Sequence, residues 1–383
     1  MKSSVAGETS ILILHATAGA GHTRAAQAVA AALQPSGRSH RVVDTLECTS
    51  ALFRRMYVKS YIDLVQKAPE LWGYFYDKSD VVSAPNSKRA RVRLAFDKLN
   101  TRSFKALLEE TKPEVILCTH FLPLELLSDL KGRGKLTTPV HAVITDVSPH
   151  AFWVYPHIDH YHVATPSAAR ELARKGFPAG RISVTGIPVD PIFAQRTPAP
   201  AARAKLGLPE KSTVLLLSGG FGIGPMQQML ASFAGSRSVL SLVVVAGKNA
   251  ELEKECQALA AKLPIPVKVY GFVSNMHELM DAADLIVTKP GGLTTTEILA
   301  KGKPMALVAP IPGQEQRNCE YLLEEGAAVR LYDVGDTAHY LEKWLGDESR
   351  MKRMAAAARA IAQPDAAKTI AAALLARLAK TSS

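Results

Sequence analysis

Residues 284–297 read DLIVTKPGGLTTTE. A short leucine-rich and β-branched run, Leu285–Val287, has the pattern of a buried strand. Pro290-Gly291-Gly292 then turns the chain, and Leu293-Thr294-Thr295-Thr296 opens a helix. Such a junction presents backbone N–H groups with the positive end of a helix dipole behind them. That arrangement suits a diphosphate, so Gly292, Leu293, Thr294 and Thr295, with Lys289 beside them, are candidate phosphate-binding residues. Glu297 lies about one turn into the helix, where its carboxylate can receive a diol such as ribose O2′/O3′. A capping box of Thr294 with Glu297 also accounts for these residues, and the two readings are compatible.

This strand–turn–helix unit is one of many. Before it come Ile11–His15, Arg41–Val43, Val115–Thr119, Val140–Thr145, Tyr161–Ala164 and Ile182–Val184. A second set comprises Thr213–Leu217, Leu242–Ala246, Val267–Tyr270, Leu285–Val287, Pro304–Val308 and Ala328–Leu331. Helix-period segments separate them, the pattern of an α/β protein built from parallel sheets. Between the sets, residues 188–209 hold five prolines and read as a semi-rigid linker. The expected organisation is an N-terminal domain over 1–190, a linker over 191–209 and a C-terminal domain over 210–383. The alanine-rich tail from Met351, broken at Pro364, is helix-prone and long enough to pack back on the first domain.

Two more glycine loops follow predicted strands. The first, Thr17-Ala18-Gly19-Ala20-Gly21-His22, lacks the G-x-G-x-x-G spacing of a dinucleotide site. It places His22 where a helix begins, at the end of the first strand. The second, Ser218-Gly219-Gly220-Phe221-Gly222-Ile223-Gly224, suits a phosphate or a structural tight turn. After the strand ending at Val308, Pro310-Ile311-Pro312-Gly313-Gln314-Glu315-Gln316-Arg317-Asn318 offers donors and acceptors for sugar hydroxyls.

Composition narrows the field. The chain has 383 residues, 47% hydrophobic and 21% charged, as in ordinary globular proteins. No apolar run approaches the roughly 18 residues needed to span a bilayer. The short N-terminal apolar stretch is a poor secretory signal, and four scattered cysteines argue against a disulfide framework. The net charge of +11 points to an acidic partner: nucleic acid, anionic lipid or a phosphorylated small molecule. Between Phe53 and Lys105 there are 12 Lys/Arg against 5 Asp/Glu, including Arg89, Arg91 and Arg93. Aromatics, among them Trp72 and Phe75, lie within the same stretch, just upstream of these arginines. A solvated helix face beside a buried aromatic cluster is the bland reading; a basic-aromatic surface for an anionic membrane is the sharper one.

Taken in order, the Gly-x-Gly-His loop, Val143-Ile144-Thr145-Asp146 with His150 and Trp153, Gly186-Ile187-Pro188-Val189, the Gly219-Gly220 loop, Lys289–Glu297 and Gly313-Gln314-Glu315 with Asn318 resemble glycosyltransferase family 28. Within it the sequence is most similar to the diacylglycerol glycosyltransferases, and more distantly to the peptidoglycan N-acetylglucosaminyltransferase. The resemblance covers nearly the whole chain. It implies a GT-B architecture, two Rossmann-like doubly wound domains with an interdomain cleft, acceptor on the first and nucleotide sugar on the second. It implies that uracil lies against Gly271-Phe272-Val273 and the diphosphate against Gly219, Gly220 and Leu293-Thr294-Thr295. Ribose falls to Glu297, and the sugar to Gln314, Glu315 and Asn318. His22, after Gly21, takes the place of the acceptor base, with Asp146 as its orienting partner or its alternative; His150 is assigned to the acceptor side.

The expected reaction is inverting transfer of glucose or galactose from UDP-glucose or UDP-galactose to diacylglycerol. A positioned base takes the acceptor proton, and positive groups receive the leaving phosphate. No Asp-x-Asp occurs, so no metal or other cofactor is expected; the helix N-terminus and Lys289 take its place. His157-Ile158-Asp159-His160-Tyr161-His162 reads as an ordinary strand edge rather than a metal site. No nucleic acid is expected. The protein is expected to be cytoplasmic and peripheral on the inner face of the cell membrane. Transfer to another acceptor, nucleotide-sugar epimerisation and a nucleotide-sugar-sensing regulator are the alternatives.

Overall fold

The computed structural model describes residues 9–17, 19–51, 53–57, 64, 67–81, 102–219, 222, 224–236 and 240–381. Arg89, Arg91, Arg93 and Gly220 lie outside these residues. The chain forms two units, residues 1–191 with 365–383, and residues 192–364.

The first unit holds six parallel strands: β1 (Ile11–His15), β2 (His40–Asp44), β3 (Val115–Cys118), β4 (Val140–Val143), β5 (His160–Val163) and β6 (Ile182–Val184). Their order across the sheet is β2-β1-β3-β4-β5-β6. The second unit also has six: β7 (Thr213–Leu217), β8 (Ser241–Val245), β9 (Val267–Tyr270), β10 (Leu285–Thr288), β11 (Met305–Val308) and β12 (Ala328–Leu331), ordered β12-β11-β10-β7-β8-β9. Every pairing is parallel. The central strands β1, β3, β7, β8, β10 and β11 are fully buried and nearly continuous apolar runs, the signature of doubly wound sheets, whereas β2, β6 and β9 at the edges are partly exposed. In each sheet the order reverses once, between β1 and β3 in the first and between β7 and β10 in the second. The ends of these strand pairs are where open α/β sheets bind ligands.

Alternate residues of the first sheet serve opposite cores. Leu12, Leu14, Ile116 and Cys118 face one cluster with Leu124, Leu127 and Trp153. Ile11, Ile13, Val115 and Leu117 face the other, with Val29 and Leu33 of the Ala20–Leu33 helix. That second layer is completed by Ile370, Ala371, Leu374 and Leu378 of the Ala366–Thr381 helix. The C-terminal helix is thus a layer of the first unit.

Of the expected linker over 191–209, all but Pro191 is part of the second unit. A turn at Pro191–Ala194 leads to a helix at Ala199–Leu206, with proline in its first turn as helix starts favour. Three cations fasten the stretch, Arg203 and Lys301 buried and Arg196 exposed. Arg203 donates to the Ala282 carbonyl at 3.0 Å and pairs with Asp284. Arg196 donates twice to the Ala300 carbonyl, and the Lys301 ammonium, paired with Asp281 at 2.8 Å, also donates to the Gln195 carbonyl.

Candidate active site

In the first unit the reversal point gathers histidines. The Ala20–Leu33 helix begins after Gly19, so His22 stands in its first turn, directly beyond β1. Its Nδ1 lies 2.8 Å from the Thr119 carbonyl oxygen and 3.0 Å from the Thr145 hydroxyl. A carbonyl only accepts, so Nδ1 carries the proton and shares it between these two oxygens. Nε2 is left with a lone pair, and among the described residues nothing bonds to it. The Thr119 hydroxyl donates back to the His22 carbonyl at 2.9 Å, closing the junction of β3 with the helix.

The neighbours keep this ring neutral. His120 stands edge-on to it, centroids 4.4 Å apart, and Trp153 lies 6.4 Å away. Burial pushes the His22 imidazole down to about 4, against the pull of the Thr119 carbonyl, with His15 adding to the depression. His15, at the end of β1, meets the Thr23 hydroxyl at 3.1 Å. The Leu122 amide donates to His120 Nδ1 at 3.0 Å, and burial holds His120 well below the ordinary histidine range. A neutral imidazole with one protonated and one free nitrogen is a base ready to accept a proton.

The contacts that orient His22 thus come from Thr119 and Thr145. Asp146, expected as the orienting partner, follows Thr145 in the loop and is half-buried. His150, expected on the acceptor side, is 2% exposed and caps a short turn, its Nδ1 accepting from the Phe152 amide at 3.1 Å. Gly21 lies inside the first helical turn. Of the aromatics on the Pro69–Ser79 helix, Phe75 is exposed along with Leu71 and Tyr74, whereas Trp72 is half-buried against Tyr76.

In the second unit the reversal point gathers the other candidates. The Gly292–Lys301 helix starts directly beyond β10, with Gly291 as its N-cap and no side chain capping it. The capping box is therefore not formed: Thr294 lies inside the helix. The Thr295 and Thr296 hydroxyls donate back to the Gly291 and Gly292 carbonyls. Leu293 is buried, and Glu297 is 2% exposed one turn further in. Lys289 pairs with Glu315 at 3.8 Å, and Glu315 accepts from the Ile311 amide at 2.9 Å. A Cβ on Gly291 would sit 3.8 Å from the Glu315 carboxylate, so this acid rests against the turn. Asn318, fully buried, donates to the Pro290 carbonyl at 3.1 Å. Lys289, Glu315 and Asn318 thereby converge on the Pro290-Gly291 turn, with Gln314 opening their helix.

The loop after β7 lies at the same reversal. Gly219 adopts φ +75, open to glycine at little cost. Gly222, at φ +65, allows no side chain at all, since a Cβ would fall 2.4 Å from Asn249 and 2.6 Å from the Ala246 carbonyl. Beyond β9, Phe272 is 69% exposed with the Lys248 ammonium 5.4 Å from its ring, and Val273 is half-buried beside it. Among the described residues no three His, Cys, Asp or Glu gather as metal ligands. His160 and His162 face His141 across the sheet, His141 Nδ1 lying 3.2 Å from His162 Nε2.

Motif reading singled out His22 but not Thr119, His120 and His15, which the fold brings around it. The available signal was position: each stands at the end of, or just past, a buried strand.

Residues 22–189 match the family described as monogalactosyldiacylglycerol (MGDG) synthase, and residues 225–374 match the glycosyltransferase family 28 C-terminal domain. The processive diacylglycerol beta-glucosyltransferase of Bacillus cereus (strain AH187) is 31% identical over 94% of this chain and 92% of its own length. That of Bacillus thuringiensis (strain Al Hakam) is 30% identical over the same shares. Among solved structures, MurG of Acinetobacter baumannii matches 96% of this chain and 99% of its own with a TM-score of 0.65 at 18% identity. HepE of Anabaena, solved with UDP and glucose, covers 96% of this chain and 100% of its own with a TM-score of 0.55 at 14% identity. The UDP-GlcNAc 2-epimerase of Neisseria meningitidis covers 95% and 99% with a TM-score of 0.57 at 15% identity. At these identities the structures establish a shared GT-B fold.

Proposed function

The chain belongs to the diacylglycerol glycosyltransferases of the MGDG synthase and processive glucosyltransferase type, with a family 28 C-terminal domain, and from that premise we propose that it transfers a hexose from a UDP-sugar to the free hydroxyl of diacylglycerol. The observation that carries this reading is the neutral His22 imidazole with its free Nε2 at the reversal point of the first sheet. Nε2 takes the hydroxyl proton as the oxygen attacks the anomeric carbon. The bond from that carbon to the diphosphate breaks, and the electron pair leaves with UDP. One base and one displacement invert the configuration, giving a β-glycoside.

In the second unit, the uncapped amides at Gly292–Thr294 and the Lys289 ammonium receive the negative charge that grows on the diphosphate. Their positive potential can neutralise the leaving diphosphate as a divalent ion does in other transferases, and on this reading the reaction needs none. Glu297 holds the ribose diol, while Gln314, Glu315 and Asn318 meet the sugar. Phe272 and Val273 flank the base. The names of the relatives favour glucose over galactose.

Among the described residues no helix is long and apolar enough to cross a membrane. The acceptor stays in the bilayer, so the protein meets it peripherally. Leu71, Tyr74 and Phe75 form the exposed apolar face of the Pro69–Ser79 helix, suited to the lipid interface. Anionic lipid on the inner face of the cell membrane supplies the complementary charge for a +11 chain. Radiolabelled UDP-glucose and UDP-galactose, each offered with diacylglycerol vesicles with and without EDTA, test the proposal. A β-linked glycolipid made in the presence of EDTA is expected. Label released as free sugar, or an epimerised nucleotide sugar, would overturn it.

A further inference from the structure

The Pro69–Ser79 helix is held by a polar latch at its C-terminal end. His150 accepts the Phe152 amide at Nδ1, so its proton is on Nε2, which donates to the Tyr76 carbonyl at 2.9 Å. Asp80, the residue capping the helix, accepts from the Ala151 amide at 2.8 Å and from the Lys175 ammonium at 2.6 Å. Lys175 donates as well to the Pro149 carbonyl at 2.7 Å and pairs with Glu171 at 3.1 Å. Glu171 in turn accepts from the Ser148 hydroxyl at 2.8 Å. Burial raises the Asp80 carboxyl, but Lys175 and the Ala151 amide outweigh it and hold the group below its usual value. Sequence spacing gives no hint of this: Asp80 and Lys175 are 95 positions apart.

The latch grips both ends of a functional line. On one side is the helix that exposes Leu71, Tyr74 and Phe75. On the other is the Ala151–Trp153 turn, whose Phe152 and Trp153 pack on Phe121, and whose Trp153 ring lies 6.4 Å from His22. We infer that Asp80, His150 and Lys175 are positioning residues that fix the apolar helix in register with the His22 ring, so that acceptor gathered on that helix is presented to the base. This rests on the reading of that helix as lipid-facing.

A charged donor and acceptor at this separation give shorter, stronger bonds than neutral ones, and a half-broken network leaves buried groups unmatched. Lys175→Met is therefore expected to raise KM for diacylglycerol in anionic vesicles roughly five- to tenfold, with kcat within about twofold and UDP affinity unchanged. Lys175→Arg, which keeps the charge and the reach to Asp80, should restore KM. His150→Gln, which keeps a donor for the Tyr76 carbonyl, should fall between the two. The idea is overturned if folded Lys175→Met keeps the wild-type KM, or if kcat falls alone. A parallel variant, Tyr74→Ser with Phe75→Ser in the wild-type background, checks the premise. If that double variant leaves vesicle KM unchanged while Lys175→Met raises it, the lipid-facing reading fails, and with it the presentation of acceptor from that helix.

Discussion

Nδ1 of His22 lies 2.8 Å from the carbonyl oxygen of Thr119, a residue 97 positions away. No carboxylate is needed to fix this ring: a backbone dipole and the Thr145 hydroxyl hold its proton in place. Histidine bases are often oriented by an acid, which also raises their basicity. Here neutral partners leave burial to dominate, and the ring stays uncharged.

His22→Ala is expected to lower turnover by roughly 10²–10⁴, the usual worth of a general base, with UDP binding intact. Thr145→Val removes one acceptor from Nδ1 and should slow turnover by a smaller factor, which Thr145→Ser restores. Steady-state rates with calorimetric titration of UDP measure both. Normal turnover in His22→Ala would make His22 structural and pass the base role to Asp146.

The pH dependence has a definite sign. A base works unprotonated, so the rate falls as pH drops through its pKa. With His22 lowered to about 4 by burial, the acid limb should lie below the ordinary histidine range. Between pH 8 and 5.5, kcat/KM, which reports the free enzyme, is expected to show no histidine inflection. An acid limb centred near 6.5 would contradict the neutral ring.

Glu297→Gln keeps the shape of a buried side chain and removes its charge. The ribose diol then loses a charge-assisted acceptor, which weakens UDP binding by about 1.5–3 kcal/mol. Lys289→Met should weaken it too, with a smaller salt dependence than wild type, because its role is with the diphosphate. Titration calorimetry at two salt concentrations separates these effects, and unchanged UDP affinity in both folded variants would move the donor site elsewhere.

Acid stability rests in part on three histidines of the first sheet. Burial lowers His141 to about 4 from 6.5; His160 and Arg377 push the same way, and Asp159 opposes them. His160 and His162 are lowered by burial as well. With the folded values below the unfolded one, the unfolded chain binds more protons in this window, and stability falls as pH drops from 6.5 towards 4. His141→Gln should remove on the order of 2–3 kcal/mol of that loss. Urea titrations at pH 7 and pH 5 measure it; an unchanged pH slope in the variant would show that His141 takes no part.

Leu374 is fully buried between the C-terminal helix and the first sheet. Leu374→Ala is expected to destabilise the first unit by about 2–5 kcal/mol. Removing residues 365–383 should expose Ile11, Ile13 and Leu117, read as dye binding to apolar surface. A truncated chain with normal melting and no dye binding would contradict the packing.

Much of this was legible in the sequence. Leu285–Val287, Pro290-Gly291-Gly292 and the helix after them are written in adjacent residues, because strand, turn and helix preferences act over a few positions. The alternation of such units gave two parallel sheets, and the glycine loops with Lys289 and Glu297 marked the donor candidates. Segment 191–209 misled because its prolines suit a linker and a helix start alike, and the buried Arg203 and Lys301 contacts that settle it lie 79 and 106 positions away in sequence.

What the tertiary structure decided was adjacency. Strand order put β3 beside β1 and so brought Thr119 and His120 to His22; it put β10 beside β7 and brought the Lys289 turn to the Gly219 loop. The same holds for the C-terminal helix, whose apolar stripe says that it must pack but not against which sheet. His150, read from the sequence as an acceptor-side residue, caps the Ala151–Trp153 turn and bonds the Tyr76 carbonyl of a helix distant in sequence. Local propensity is a property of neighbours along the chain, whereas burial, tautomer and charge pairing are properties of neighbours in space, and only the folded chain supplies those.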